Sequence, residues 1–150
     1  MKKWVFMVTV LLGITLVGCS NGGLTGSKPP KTNITVGNET YETVLGSYCW
    51  RSECADTAGP LELLEGKEPV KVKAGEKISI VMDYTPKPNE FYFSQIDDNE
   101  ETEVEINNNG FKAPMEKGVY YYVYSLWWMD DKEKNLSHGD AYYAFVLEVN

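Results

Sequence analysis

Strict two-residue alternation near the end of the chain does most to limit its fold. Tyr143, Phe145, Leu147 and Val149 are separated by Ala144, Val146 and Glu148, and the Tyr-rich run Gly118 to Trp128 has the length to pair with them. Period two places every second side chain on one face of a strand and cannot build a helical face. The pattern recurs at Ile78, Ile80, Met82 and Tyr84 and in Glu101 to Ile106. Turn formers stand between the runs: Ala58-Gly59-Pro60, Ala74-Gly75, Thr85 to Asn89, Asn107 to Gly110 and His138-Gly139-Asp140. Short strands punctuated in this way predict an all-β sandwich or barrel. Tyrosine, at 10 copies against 5 of Phe, reinforces strand over helix. Only Leu61 to Glu65 offers a turn of helix, and a strand fits it equally.

One segment narrows the choice. Pro114 to Tyr122 places a loop acid, Gly118, one residue and then Tyr120 at the start of the long run. This resembles the tyrosine corner at the entry to strand F of immunoglobulin-like sandwiches. The resemblance implies an immunoglobulin-like β-sandwich over residues 33–150, two antiparallel sheets of about seven to nine strands, with Tyr120 as the corner. Tyr122 then occupies the inward position that antibody domains fill with cysteine. The inter-sheet disulfide and its covering Trp are missing, so antibody-like function does not follow.

The N-terminus carries a separate message. Met1-Lys2-Lys3 precedes the uncharged apolar run Trp4 to Val17, the build of an export signal and short of a membrane span. Leu16-Val17-Gly18-Cys19 resembles the lipobox of bacterial lipoproteins. The resemblance implies cleavage after residue 18 and diacylglycerol on the Cys19 thiol, so that the mature protein sits lipid-anchored on the extracytoplasmic face of the cell membrane. Residues 19–32, rich in Gly, Ser and Pro, read as a flexible linker able to hold the domain up to roughly 40 Å from the bilayer. Gly46 to Trp50, with Gly139 to Phe145, also resembles small lipoproteins of Firmicutes, a likeness that supplies no activity. Lys2 and Lys3 are the only charges in the signal, so the net charge of −8 becomes −10 for the remainder. Such acidity excludes nucleic acid as a partner, whose phosphates need Lys and Arg.

With Cys19 acylated, Cys49 and Cys54 remain. An even pair outside the cytoplasm predicts a disulfide, with free thiols or a redox pair as alternatives, and its loop would present Trp50, Arg51 and Glu53. Catalytic patterns are missing: no GxSxG, HExxH or Walker sequence occurs. The single His138, beside Ser137, reads as a solvated loop residue, and Asp97-Asp98 with Glu100-Glu101 as a wet turn. Asp131-x-Glu133-x-Asn135-x-Ser137 echoes a calcium loop but has Leu136 where the turn glycine belongs and Tyr142 in place of the closing Glu. Neither a metal nor a cofactor is expected.

If Tyr120, Tyr122, Tyr124, Leu126 and Trp128 face the core, then Val119, Tyr121, Val123, Ser125 and Trp127 face outward, with Tyr142, Ala144 and Val146 beside them. An apolar outer face is either covered, here by residues 49–64 or the N-terminal strand, or left to bind something. Tyr121, Trp127 and Tyr142, with Trp50 on the clipped loop, are therefore the candidate binding residues. The expected function is a non-enzymatic, lipid-anchored binding module for an envelope protein, peptide or glycan. The alternatives are an inhibitor or immunity lipoprotein directed at an extracellular enzyme and, third, a carbohydrate-active enzyme.

Overall fold

The long hairpin anticipated at the end of the chain is the spine of the molecule. In the computed structural model, which describes residues 22–97 and 100–150, β10 (Gly118–Met129) pairs with β11 (Ser137–Val149) from Gly118↔Val149 to Trp127↔Asp140. On one face Tyr122, Leu126, Trp128, Tyr143, Phe145, Leu147 and Val149 are buried, as period two requires.

Among the described residues, eleven strands form two sheets. One has the order β2 (Glu39–Glu42), β1 (Asn33–Val36), β6 (Lys77–Val81), β9 (Gly110–Lys112). The other runs β4 (Glu53–Ala55), β3 (Val44–Trp50), β11, β10, β7 (Glu90–Asp97), β8 (Glu100–Glu103). A short β5 (Val70–Val72) lies parallel to the end of β11. The sequence expectation of all-β with two facing sheets holds. From β6 onward the order is that of an immunoglobulin-like sandwich: β6 and β9 in one sheet, β7, β10 and β11 in the other, with β8 beyond β7. The hairpins β1–β2 and β3–β4 raise the strand number above the expected seven to nine. The corner is formed: Tyr120 Oη donates to Glu116 O at 2.9 Å.

An aromatic stack occupies the place of the missing disulfide and tryptophan. Phe93, Tyr122 and Phe145 lie on adjacent strands with rings stacked at 5.3–6.1 Å, and Phe111 closes on them from the opposite sheet. Burial pushes the Tyr122 hydroxyl well above the ordinary phenol range. Of the acids expected in a wet turn, Asp97 ends β7, Glu100 and Glu101 open β8, exposed at the edge of the larger sheet, and Asp98 lies outside the described residues. Charge there discourages edge-to-edge pairing with other chains.

A second core fills the end of the sandwich near the β10–β11 tip. Trp50 packs edge-on to Trp128 at 4.8 Å and to Tyr84 at 5.7 Å, with Leu24, Leu126 and Tyr143 around them. This corrects two expectations. Trp50, expected on a presented loop, is 1% exposed. Its neighbour Cys49 pairs with Cys54 on the outer face, so strand alternation turns Trp50 inward. The linker expected to be flexible is docked from residue 22 onward: Leu24 and Pro29 are buried, and Trp50 Nε1–H donates to Thr25 O at 3.2 Å. Gly139 makes the docking possible, since a Cβ there would lie 2.7 Å from the Trp50 ring and 2.8 Å from Leu24. The expected export signal and Cys19 lie outside the described residues.

Candidate functional site: the outer face of the larger sheet

The outward residues of β10 and β11 meet three different environments. At the centre, Val123, Ala144 and Val146 are buried beneath Leu63 and Leu64. These belong to and follow α1 (Pro60–Leu63), a single helical turn with Pro60 at its first position. Coverage by residues 49–64, one of the two alternatives drawn from the sequence, therefore applies here.

Either side of this cover the sheet remains accessible. Toward the start of β10, half-buried Tyr121 lines a depression of about 470 Å³ with Leu61, Glu65, Lys67 and Pro69. Toward its end, half-buried Trp127 lines a smaller one of about 210 Å³ with Tyr48, Asp56, Asp140 and Tyr142. Trp127 stands six residue steps along the strand from Tyr121, about 20 Å. The outer face is thus two aromatic depressions rather than one continuous strip.

Tyr142 has a structural task at the second depression. Its ring lies over Gly46, where a Cβ would sit 2.0 Å from Cζ. Its Oη donates to Ala58 O at 2.7 Å and lies 3.1 Å from Thr57 Oγ1, fastening the segment after β4 to the sheet. Tyr142 is a wall that holds the depression open, and Trp127 is its accessible aromatic surface.

Register aligns the chemistry of this depression. Glu90, Trp127, Asp140, Cys49 and Cys54 are successive cross-strand partners on β7, β10, β11, β3 and β4. Directly paired residues share a face, so an acid lies on each side of Trp127. Burial raises the pKa of Asp140, opposed by a hydrogen bond from the Cys49 backbone N–H. Ion pairs among the described residues are Lys31–Glu42 and His138–Asp130, so Asp140 has no cationic partner there. The expected disulfide is present between Cys49 and Cys54, closing the β3–β4 hairpin around the turn Arg51–Ser52.

His138 departs from the expected solvated loop residue. Its side chain is 11% exposed and Nε2 lies 2.9 Å from Asp130 Oδ2. Asp130 Oδ1 accepts from the backbone N–H groups of Glu133 (2.7 Å) and Lys132 (2.8 Å). These two backbone bonds, then the imidazole, hold the Asp130 carboxyl down to about 2. The pair borders a cavity of about 550 Å³ with Gly22, Lys87 and Trp128. Ser137 Oγ donates to Gly139 O at 2.8 Å, away from any role as a nucleophile paired with His138. Among the described residues no group of three His, Cys, Asp or Glu side chains is placed to hold a metal ion. Sequence reasoning missed Asp140, whose signal was its position opposite Trp127 in the hairpin register. No family model, curated protein or solved structure matches the chain.

Proposed function

We propose that the mature protein is a non-enzymatic binding module, lipid-anchored through Cys19 on the extracytoplasmic face of the cell membrane, and that it recognises its partner with the depression around Trp127. The observation that carries this reading is the cross-strand row Glu90–Trp127–Asp140 left open beside the covered centre of the face. An indole flanked by acids, one partly desolvated and without a cation, suits a protonated amine or guanidinium. The partner is therefore a peptide or protein segment offering a Lys or Arg side chain. The net charge of −10 beyond the signal favours encounter with such a segment.

The test uses the mature chain with Cys19→Ser, titrated with basic, acidic and neutral peptides and with neutral oligosaccharides. Trp127 is the one half-exposed tryptophan among the described residues, so indole fluorescence reports on it. Basic peptides are expected to bind in a salt-sensitive manner, and Trp127→Ala or Asp140→Asn to weaken them at least tenfold, about 1.4 kcal/mol. Binding that ignores both substitutions contradicts the site, and binding of oligosaccharides alone replaces the basic segment with a glycan. The second reading, an inhibitor of an extracellular enzyme, draws on the exposed turn Arg51–Ser52, held by the disulfide and by Arg51 Nη1 donating to Gly26 O at 3.3 Å.

A further inference from the structure

The docked N-terminal segment fixes more than its own position. Gly22 lies against His138, where an added Cβ would stand 2.4 Å from the imidazole Cδ2. Leu24 is buried with Trp50 and Trp128. Thr25 N–H donates to Tyr84 Oη at 2.7 Å, and Thr25 O accepts from both Tyr84 Oη and Trp50 Nε1–H at 3.2 Å. Tyr143 Oη donates to Pro30 O at 2.6 Å. Residues 22–30 are thus strapped along one pole of the sandwich, the pole of the β10–β11 tip. Cys19 stands three residues before Gly22, so the chain between them spans at most about 11 Å.

We infer that, once Cys19 is acylated, the pole formed by residues 130–138 faces the bilayer at contact distance and the domain keeps that orientation. The inference rests on the lipid-anchor reading above and names what it implies for the folded domain. The effective tether is Ser20 and Asn21 alone, not the whole of residues 19–32. The surface of this pole suits a bilayer better than the acidic chain as a whole does. Leu136 is 41% exposed at the tip. Arg51, Lys87, Lys132 and Lys134 are exposed around it and largely balance Glu53, Asp83, Asp130, Asp131 and Glu133, where the chain as a whole has a large acidic excess. Arg51 belongs to this pole because its N–H donates to His138 O at 3.1 Å. The opposite pole, at Glu116 to Gly118, lies the length of β10 away, about 35–40 Å for 12 residues.

Two consequences follow for recognition. The turn Arg51–Ser52 faces lipid, which takes it away from a soluble enzyme. The Trp127 depression lies only two residues below the end of β10, so its partner is one that reaches the membrane surface. Tyr121 stands about 20 Å further out.

The experiment uses the full mature, lipidated protein in phosphatidylcholine–phosphatidylglycerol vesicles carrying an energy acceptor on the headgroups. A donor is placed at Lys134→Cys or at Glu116→Cys, and flotation with the vesicles is scored on the same samples. Strong transfer from position 134 with several-fold weaker transfer from 116 is expected. In a Leu24→Ser variant, shown by near-ultraviolet circular dichroism to remain folded, the two positions are expected to converge because the strap is loosened. Flotation with equal transfer from both positions of the unaltered chain overturns the orientation alone. Failure to float overturns the anchor and the orientation together.

Discussion

Replacing Trp50 by Ala separates an inward tryptophan from one that merely sits on a clipped loop. The ring is 1% exposed, edge-on to Trp128 at 4.8 Å and to Tyr84 at 5.7 Å, and it donates to Thr25 O. Truncating a buried tryptophan costs about 3–5 kcal/mol through lost burial and the cavity left behind. The lost hydrogen bond adds little, because Thr25 O still accepts from Tyr84 Oη. Against a typical total stability of about 5–15 kcal/mol, the loss is a large share. For a domain of this size it lowers Tm by roughly 10–20 °C. Scanning calorimetry of the Cys19→Ser mature chain measures the shift, with Trp127→Ala as the internal comparison. The half-exposed Trp127 is expected to cost about 1 kcal/mol. Equal, small shifts for both variants would refute the inward placement of Trp50 and with it the second core.

Acid, reduction and the corner tyrosine give three more tests. The folded Asp130 pKa lies at about 2, below the ordinary 3.8. Its contribution is therefore complete above about pH 4 and lost as pH falls toward 2. Urea midpoints of wild type and Asp130→Asn are expected to differ at pH 6 and to converge toward pH 2. Reducing Cys49–Cys54 opens a loop spanning five residues of sequence, worth about 2 kcal/mol on the loop-entropy account. A modest fall in Tm with the circular dichroism spectrum preserved is expected, whereas unfolding on reduction would make the clip essential. Tyr120→Phe removes the bond to Glu116 O and is expected to cost about 1 kcal/mol in urea denaturation, with the fold retained.

The sequence showed the strands more readily than it showed what lies against them. Alternation in β10 and β11 identified Tyr122, Leu126, Phe145 and Leu147 as inward because period two follows from backbone geometry alone. Tyr120 was recognisable because a corner needs a fixed local spacing. Residues 22–32 read as a tether because Gly, Ser and Pro carry no apolar period. Their docking depends on a single Leu24 and on side chains of Trp50, Tyr84 and Tyr143, all remote in sequence. Trp50 was within reach of the same period-two reasoning: once Cys49 is assigned to an outward disulfide, its neighbour must point in. His138 was not, since Asp130 meets it only when the hairpin closes. The division of the outer face likewise waited for the path of residues 60–64, which no local pattern specifies.

The proposed function and the orientation at the membrane both require that residue 19 joins the chain to lipid. Intact-mass spectrometry of the protein extracted from membranes of the expressing cells addresses it directly. The expected product is a mature chain whose first residue is Cys19, heavier by a diacylglyceryl thioether. An unmodified Cys19, or a mature chain that begins at another residue, would contradict it.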